Sequence, residues 1–243
     1  MQMRFTVDCR DCSRLAGFLD EVKACYPDYY ARPVPAFGDV APELLIIGLA
    51  PGMHGANRTG RPFTGDYAGI LLYQTLYKFG FATHEGSASA NDNLELMRCR
   101  ITNAVKCLPP GNKPEPDEIR QCNGYLAAEI SDFAASGSAL LALGAIAHQA
   151  VLMALGLKLK SHPFSHGAIH ALSAPGRGNG ANPSGLSLPA DLSLYDSYHC
   201  SRYNTQTRRL TTDMFERIFE KICADFASNQ KLETHQCPTS TSA

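Results

Sequence analysis

A chain of 243 residues that is 44% hydrophobic and 19% charged is long enough to bury one sizeable core and ordinary enough in composition for a single globular domain. Its 22 lysines and arginines against 23 acidic residues leave a formal net charge of −1, which excludes a protein that holds polyanions by overall charge, so any nucleic-acid contact must come from a local patch. The cysteine count of nine is odd, no basic head followed by an apolar stretch marks a secretory signal, and no apolar run is long enough to span a bilayer; the expectation is a reducing cytoplasm, with neither a disulfide framework nor a membrane.

The first motif along the chain is Cys9-x-x-Cys12. Thiolates are soft ligands, and this pair completed by Cys107 and Cys122 could enclose tetrahedral zinc or an iron–sulfur cluster; spacing alone does not choose. The competing reading is a thioredoxin-like redox pair, although that motif normally follows a first strand and opens a helix, and here it lies within a dozen residues of the start. Cys25, Cys99, Cys223 and Cys237 have no evident partner and read as buried small hydrophobes or inert surface thiols.

Residues Glu43 to Leu49 form an apolar run that stops at Ala50-Pro51-Gly52, the pattern of a buried strand feeding a loop. The loop from Gly48 to Asp66 fits neither the dinucleotide fingerprint nor the phosphate-binding loop, because its glycine spacing is wrong and no Gly-Lys-Ser/Thr follows. What it offers is backbone able to approach a flat ligand, an aromatic face at Phe63 and a carboxylate at Asp66. Ile70, Tyr73, Leu76 and Tyr77 then recur at helical spacing up to Gly80, which predicts a helix capped by Asp66 or the residues beside it.

Ile101 to Leu108 reads as a second strand, broken by Pro109-Pro110-Gly111, and Asp117 to Phe133 as a helix with Pro116 at its start. Ala139 to Leu143 is a third strand, Gly144 opens a helical stretch to Leu155, and Ala168 to Leu172 is a further strand. Ser173 to Asp191, rich in Gly, Pro, Ser and Ala, reads as a flexible surface excursion. Leu192 to His199 is the last strand and Thr211 to Phe226 a closing helix, so one domain over residues 1–228 is expected, with a disordered tail after Ser228. Arg202, Arg208, Arg209 and Arg217 form a local basic cluster, to which Arg58 and Arg61 add if the glycine-rich loop folds nearby.

Strands alternating with helices imply an α/β fold with a central, mainly parallel sheet covered on both faces. Ligands gather beyond the carboxyl ends of such strands. The Gly48 loop, Asn103, the Gly144 turn and His199 all fall at or near those ends. On residue identity alone Asp66 could be only an N-cap, Asn103 a strand asparagine bonded to backbone, Phe63 plain core and His199 a satisfied structural histidine.

The run Gly48 to Asp66, the strand Ile101-Thr102-Asn103-Ala104-Val105-Lys106-Cys107, and Ser197-Tyr198-His199-Cys200-Ser201 leading into Asn204-Thr205-Gln206-Thr207 together resemble the uracil-DNA glycosylase superfamily, and within it the fifth family. The likeness runs from about Cys9 to the closing helix, and the four cysteines match that family's iron–sulfur ligand pattern. It implies a three-layer α/β/α sandwich, a structural [4Fe–4S] cluster on Cys9, Cys12, Cys107 and Cys122, and hydrolysis of the N-glycosidic bond of a deaminated base in double-stranded DNA by a base-excision-repair enzyme of bacterial or archaeal type; a monomer is expected, because flipping one base from one duplex asks for no symmetry. By the same resemblance Asp66 serves the sugar side, His199 a base carbonyl, and Asn103 the base edge. Phe63 would stack on the base, with Gly48 and Ala50 completing the pocket. Arg202 and Tyr203 would hold the gap left by the flipped base, and Arg208 and Arg209 would contact phosphates. The family's fourth branch carries glutamate at the position of Leu49. This chain departs from the family in two places: His199-Cys200-Ser201 stands for His-Pro-Ser, and Arg208 for glycine. The alternatives are a damaged-DNA-binding module with weak chemistry and a redox or metal sensor built on the four cysteines.

Overall fold

The computed structural model describes residues 4–172, 188–189 and 191–234. In chain order its elements are α1 (Ser13–Cys25), β1 (Phe37–Gly38), β2 (Leu44–Gly48), α2 (Ala56–Thr59), α3 (Tyr67–Lys78), β3 (Cys99–Asn103), α4 (Pro116–Phe133), β4 (Ala139–Leu143), α5 (Ala145–Ala154), β5 (Ile169–Ala171), β6 (Ser193–Ser197), α6 (Arg202–Gln206) and α7 (Thr212–Thr234). The six strands form one sheet in the order β1-β3-β2-β4-β6-β5; β2 is parallel to β3 and β4, β4 is parallel to β6, and both edge strands run antiparallel.

Every residue of β2 and β4 is buried, as central strands covered on both faces require. Period-two alternation divides their side chains between two layers. Leu44, Ile46, Ile101, Leu141 and Tyr195 pack with Leu72 and Leu76 of α3 and Phe215 and Phe219 of α7. Leu45, Ile47, Leu140, Ala142 and Leu194 pack with Leu126 and Ile130 of α4 and Ala147 and Val151 of α5. The result is the expected three-layer α/β/α sandwich. A third cluster joins α1, through Leu15, Leu19 and Val22, to Val105, Cys107, Leu108, Cys122 and Tyr125.

Several boundaries differ from the sequence reading for identifiable reasons. The strand expected at Ile101 to Leu108 is β3 and ends at Asn103, because Val105, Cys107 and Leu108 are apolar for the sake of the α1 cluster and not the sheet. The closing helix runs on to Thr234, past both Phe226 and the point where a tail was expected, and its apolar periodicity fades before its backbone does. Residues 235–243, and with them Cys237, lie outside the described residues, as does most of the expected Gly/Pro-rich excursion. Helix α1 was not anticipated although Leu15, Leu19 and Val22 recur at helical spacing, whereas β1 and α6 are too short to carry a pattern.

From β2 the chain moves to β3 on one side and then crosses to β4 on the other. The carboxyl end of β2 is therefore a topological switch point, where a crevice opens in sheets of this kind. Among the described residues no helix is long and apolar enough to cross a membrane.

Candidate active site

Gly48 and Asn103 are the last residues of β2 and β3, and Gly144 and His199 follow the carboxyl ends of β4 and β6. A cavity of about 450 Å³ opens there, lined among others by Leu49, Ala50, Phe63, Asp66, Asn103 and His199. Gly48 makes the floor possible: a Cβ on it would stand 2.4 Å from Asn103 Oδ1 and 2.7 Å from Phe63 Cζ, so amide and ring rest directly on its backbone. Asn103 is 3% exposed and its Oδ1 has no hydrogen-bond partner among the described residues. A buried amide oxygen left unpaired carries a desolvation cost of about 1–3 kcal/mol, and Asn103 is one of the residues that line the cavity. Phe63 sits at φ 53°, an uncommon backbone for an aromatic residue, and its ring lies 5.9 Å from that of His199 at a 30° tilt.

Asp66 is the N-cap of α3: its Oδ1 accepts from Gly69 N at 2.9 Å. Its Oδ2 lies against the Gly52–Gly55 turn, where a Cβ at Gly55 would come within 2.4 Å. Burial pushes the carboxyl pKa up, and the amides of Gly69 and Ala68 oppose that. The capping role and a cavity-facing oxygen therefore coexist in one side chain.

His199 is held by the turn after β4 and by α6. Gly144, at φ 102°, donates to Ser197 O at 2.8 Å and leaves room for the His199 Cβ, while Asn204 Nδ2 donates to the His199 carbonyl at 2.8 Å. Burial lowers its imidazole to about 4, so the ring is neutral near pH 7 and can donate one hydrogen bond without carrying charge. Cys200, where the resemblance leads to an expectation of proline, is completely buried; burial first and the nearby Asp66 carboxylate second push its thiol up, and it packs as a small apolar residue. Ser201 caps α6 by accepting from Asn204 N at 3.4 Å. Arg202 lies over the Tyr67 ring at 5.8 Å, Tyr203 is 70% exposed, and Arg209 sits 4.5 Å over the Tyr198 ring. Arg208, where the resemblance leads to an expectation of glycine, is exposed and adopts φ 57°, a left-handed conformation that costs a non-glycine residue energy.

A family model described as the uracil DNA glycosylase superfamily matches residues 35–223. The chain belongs to the uracil-DNA glycosylase superfamily. Membership makes it a DNA glycosylase. The chain is 43% identical over 215 residues to a type-5 uracil-DNA glycosylase of Thermus thermophilus, covering 86% of this chain and 90% of the relative. It is 35% identical over 223 residues to the type-5 enzyme of Pyrobaculum aerophilum, covering 90% and 89%. Similarity to a type-4 uracil-DNA glycosylase of Saccharolobus solfataricus is lower, at 26% over 212 residues, covering 84% of each chain.

In this superfamily member the expected residues do not all sit at the cavity. Arg61 is a correction: it is 6% exposed, pairs with Asp92 at 2.7 Å and lies 4.8 Å over the Phe37 ring, so it braces the loop from inside and cannot face DNA. Arg217 is exposed on α7 beside His166 and Tyr195, away from the cavity. Conversely, Tyr67, Ala68 and Asn112 line the cavity without having been singled out. Tyr67 follows the cap and reads as ordinary helix; Asn112, at φ 57°, reads only as part of a strand break.

The four cysteines meet on the far side of β3. Cys12 caps the start of α1, Cys107 follows Lys106, and Cys122 lies on α4; with Cys9 they line one enclosed hollow walled by Phe5, Pro33 and Tyr125. All four are free thiols, and Tyr125 donates to Cys9 Sγ at 3.5 Å. Burial first and neighbouring thiols next push Cys12 up to about 11 and Cys107 higher, so these two thiols need a bound cation to ionise near pH 7. Four thiols around one hollow are soft donors that fit a thiolate-bound centre, either tetrahedral zinc or an iron–sulfur cluster.

Proposed function

We propose that this protein hydrolyses the N-glycosidic bond of uracil in DNA, and of other deaminated or damaged bases including hypoxanthine, xanthine and ethenocytosine, leaving an abasic site for base-excision repair. The observation that carries the reading is the convergence of Asp66, Asn103, Phe63 and His199 on one cavity at the switch point of the sheet. A cavity with an aromatic wall at Phe63 and the Asn103 amide in its lining suits a planar heterocycle.

A base inside a duplex cannot reach such a cavity, so the nucleotide must be flipped, which favours bases already mispaired. The ring then stacks on Phe63 above the Gly48 backbone, beside Ala50, and Asn103 offers its amide to the base edge. Cleavage of the bond between C1′ and the base nitrogen leaves the electron pair with the base and positive charge on the sugar. His199, neutral at pH 7, donates to the carbonyl oxygen on which the base's negative charge gathers. Asp66 faces the sugar as a carboxylate, stabilising the oxocarbenium-like centre and orienting the water that adds at C1′. That water's oxygen becomes the sugar hydroxyl, and its proton balances the departing base. Leu49, where a fourth-branch enzyme would have glutamate, leaves Asp66 as the principal acid of the cavity.

The exposed segment after His199 serves the duplex: Arg202 and Tyr203 fill the gap, and Arg208 and Arg209 meet phosphates, fixing register without reading sequence. Cys9, Cys12, Cys107 and Cys122 would hold a [4Fe–4S] cluster whose role is to fasten α1 and α4 to the segment after β3. We infer a monomer acting in the cytoplasm on double-stranded DNA, because flipping one base from one duplex asks for no symmetry.

The test is base release from duplexes carrying uracil, hypoxanthine or ethenocytosine, with Asp66→Ala alongside and iron and acid-labile sulfide measured in both proteins. Release lost in the variant with iron retained is the expected result. A cluster-loaded wild type that binds mismatched duplex without releasing base would point to a binding module. Full activity in Asp66→Ala would remove Asp66 from the chemistry.

A further inference from the structure

On the face of β6 covered by α5 lies a second group of titratable side chains that base removal does not use. Asp196 is wholly buried, and each of its oxygens meets an imidazole: His148 Nδ1 at 2.7 Å from Oδ1 and His170 Nε2 at 3.1 Å from Oδ2. His148 on α5 is likewise wholly buried, and His170 on β5 is 11% exposed. The three ligand atoms lie within 4.8 Å of one another, the only such set of His, Cys, Asp or Glu among the described residues. No lysine or arginine pairs with Asp196 among the described residues.

The tautomer of His148 is fixed by its other nitrogen. Nε2 lies 2.8 Å from the His162 carbonyl, which can only accept, so Nε2 carries the proton and the neutral ring aims its Nδ1 lone pair at Asp196. A lone pair facing a carboxylate oxygen at 2.7 Å requires a positive charge between them. A proton between His148 and Asp196 satisfies that pair, and a neutral His170 protonated on Nε2 can donate to Asp196 Oδ2. One cation satisfies all three donors, and a ring whose far N–H is anchored on a backbone carbonyl is the usual support of a metal-ligating histidine. Two imidazoles and one carboxylate are borderline donors suited to zinc, whose ligands near 2.0–2.2 Å stand about 3.3 Å apart.

We propose that His148, His170 and Asp196 form a structural site for a zinc-class divalent cation, which enters as any proton between His148 and Asp196 leaves to solvent. The site joins α5, the 162–171 segment and β6. That segment also carries His166, whose ring stacks on Tyr198 at 4.9 Å and whose Nδ1 accepts from Tyr198 N at 3.1 Å, immediately before His199. The cation would hold the approach to the cavity from outside it, and it takes no part in bond cleavage.

The experiment uses full-length, cluster-loaded protein treated with chelator and titrated with Co²⁺ and Zn²⁺. One equivalent of Co²⁺ with nitrogen and oxygen d–d bands and no thiolate charge-transfer band is expected. Zn²⁺ at 100-fold excess over its dissociation constant should raise Tm by about 5 °C or more. His170→Gln, at the rim and free to fold, should weaken binding at least about 100-fold and abolish the Tm rise. A folded wild type that takes up no cobalt, cobalt bound only with thiolate bands, or equal binding by His170→Gln would each overturn the assignment and leave a protonated His148–Asp196 pair.

Discussion

Gly48→Ala tests the geometry of the cavity floor with a single carbon atom. The backbone of Gly48 belongs to β2 and is not in the left-handed region, so alanine on conformational grounds alone should stabilise the protein by about 0.5–1 kcal/mol. The new Cβ, however, would stand 2.4 Å from Asn103 Oδ1 and 2.7 Å and 2.8 Å from Phe63 ring carbons, about 1 Å short of ordinary van der Waals separation. Asn103 and Phe63 are 3% and 6% exposed and have no free space to retreat into except the cavity itself. Overpacking of this kind costs about 1–3 kcal/mol, enough to lower stability without unfolding the chain. A displacement of about 1 Å in groups that position a reactant costs about 100-fold in rate. Single-turnover release of uracil from a duplex, with urea unfolding of the same preparations, measures both effects. Gly17→Ala in α1 is the control: nothing lies within 4 Å of its added carbon, so it should gain stability and keep full rate. A Gly48→Ala protein that releases uracil within about threefold of the wild-type rate would refute the claim that amide and ring are seated on that backbone.

Arg208→Gly should raise stability by about 1 kcal/mol in urea unfolding, because glycine occupies φ 57° without strain, and should reduce the slope of log affinity against log salt by about 1 through loss of one phosphate contact; an unchanged slope would remove Arg208 from the DNA interface. Burial lowers His199 from its ordinary value near 6.5 to about 4, so the unfolded chain binds the extra proton more readily; the stability tied to this residue is full above about pH 6.5 and is lost as pH falls through about 4. Its ring signals in NMR should stay fixed between about pH 7.5 and 5.5, and a titration near 6.5 would contradict the buried, neutral assignment. Arg61→Met strands the Asp92 carboxylate and should destabilise by about 2–3 kcal/mol while leaving the salt slope of DNA binding unchanged; a lower slope would return Arg61 to the interface.

The alternation of strand and helix, the arrival of Gly48, Asn103 and His199 at strand ends, and the capping of α3 by Asp66 are all legible along the chain. Each depends on neighbours in sequence: apolar period, a breaking Pro or Gly, a short polar side chain before a helix. The family resemblance adds the roles of those residues, which no periodicity contains. Strand limits were harder to read where an apolar run serves two cores in turn, as Ile101 to Leu108 serves first the sheet and then α1. Arg61 shows the same ambiguity for charge, since only the loop's inward fold reveals that Asp92 neutralises it.

Local pattern was therefore sufficient to place most of the central strands and their covering helices, though not α1, β1 or α6, and to name a cavity rim, because hydrogen bonding and capping within an element act over a few residues. It could not bring His148 and His170 to Asp196, gather Cys9, Cys12, Cys107 and Cys122 around one hollow, or seat Asn103 and Phe63 on the bare backbone of Gly48. Those depend on distances between chain segments tens of residues apart, and only close packing of the sheet against its helices decides them.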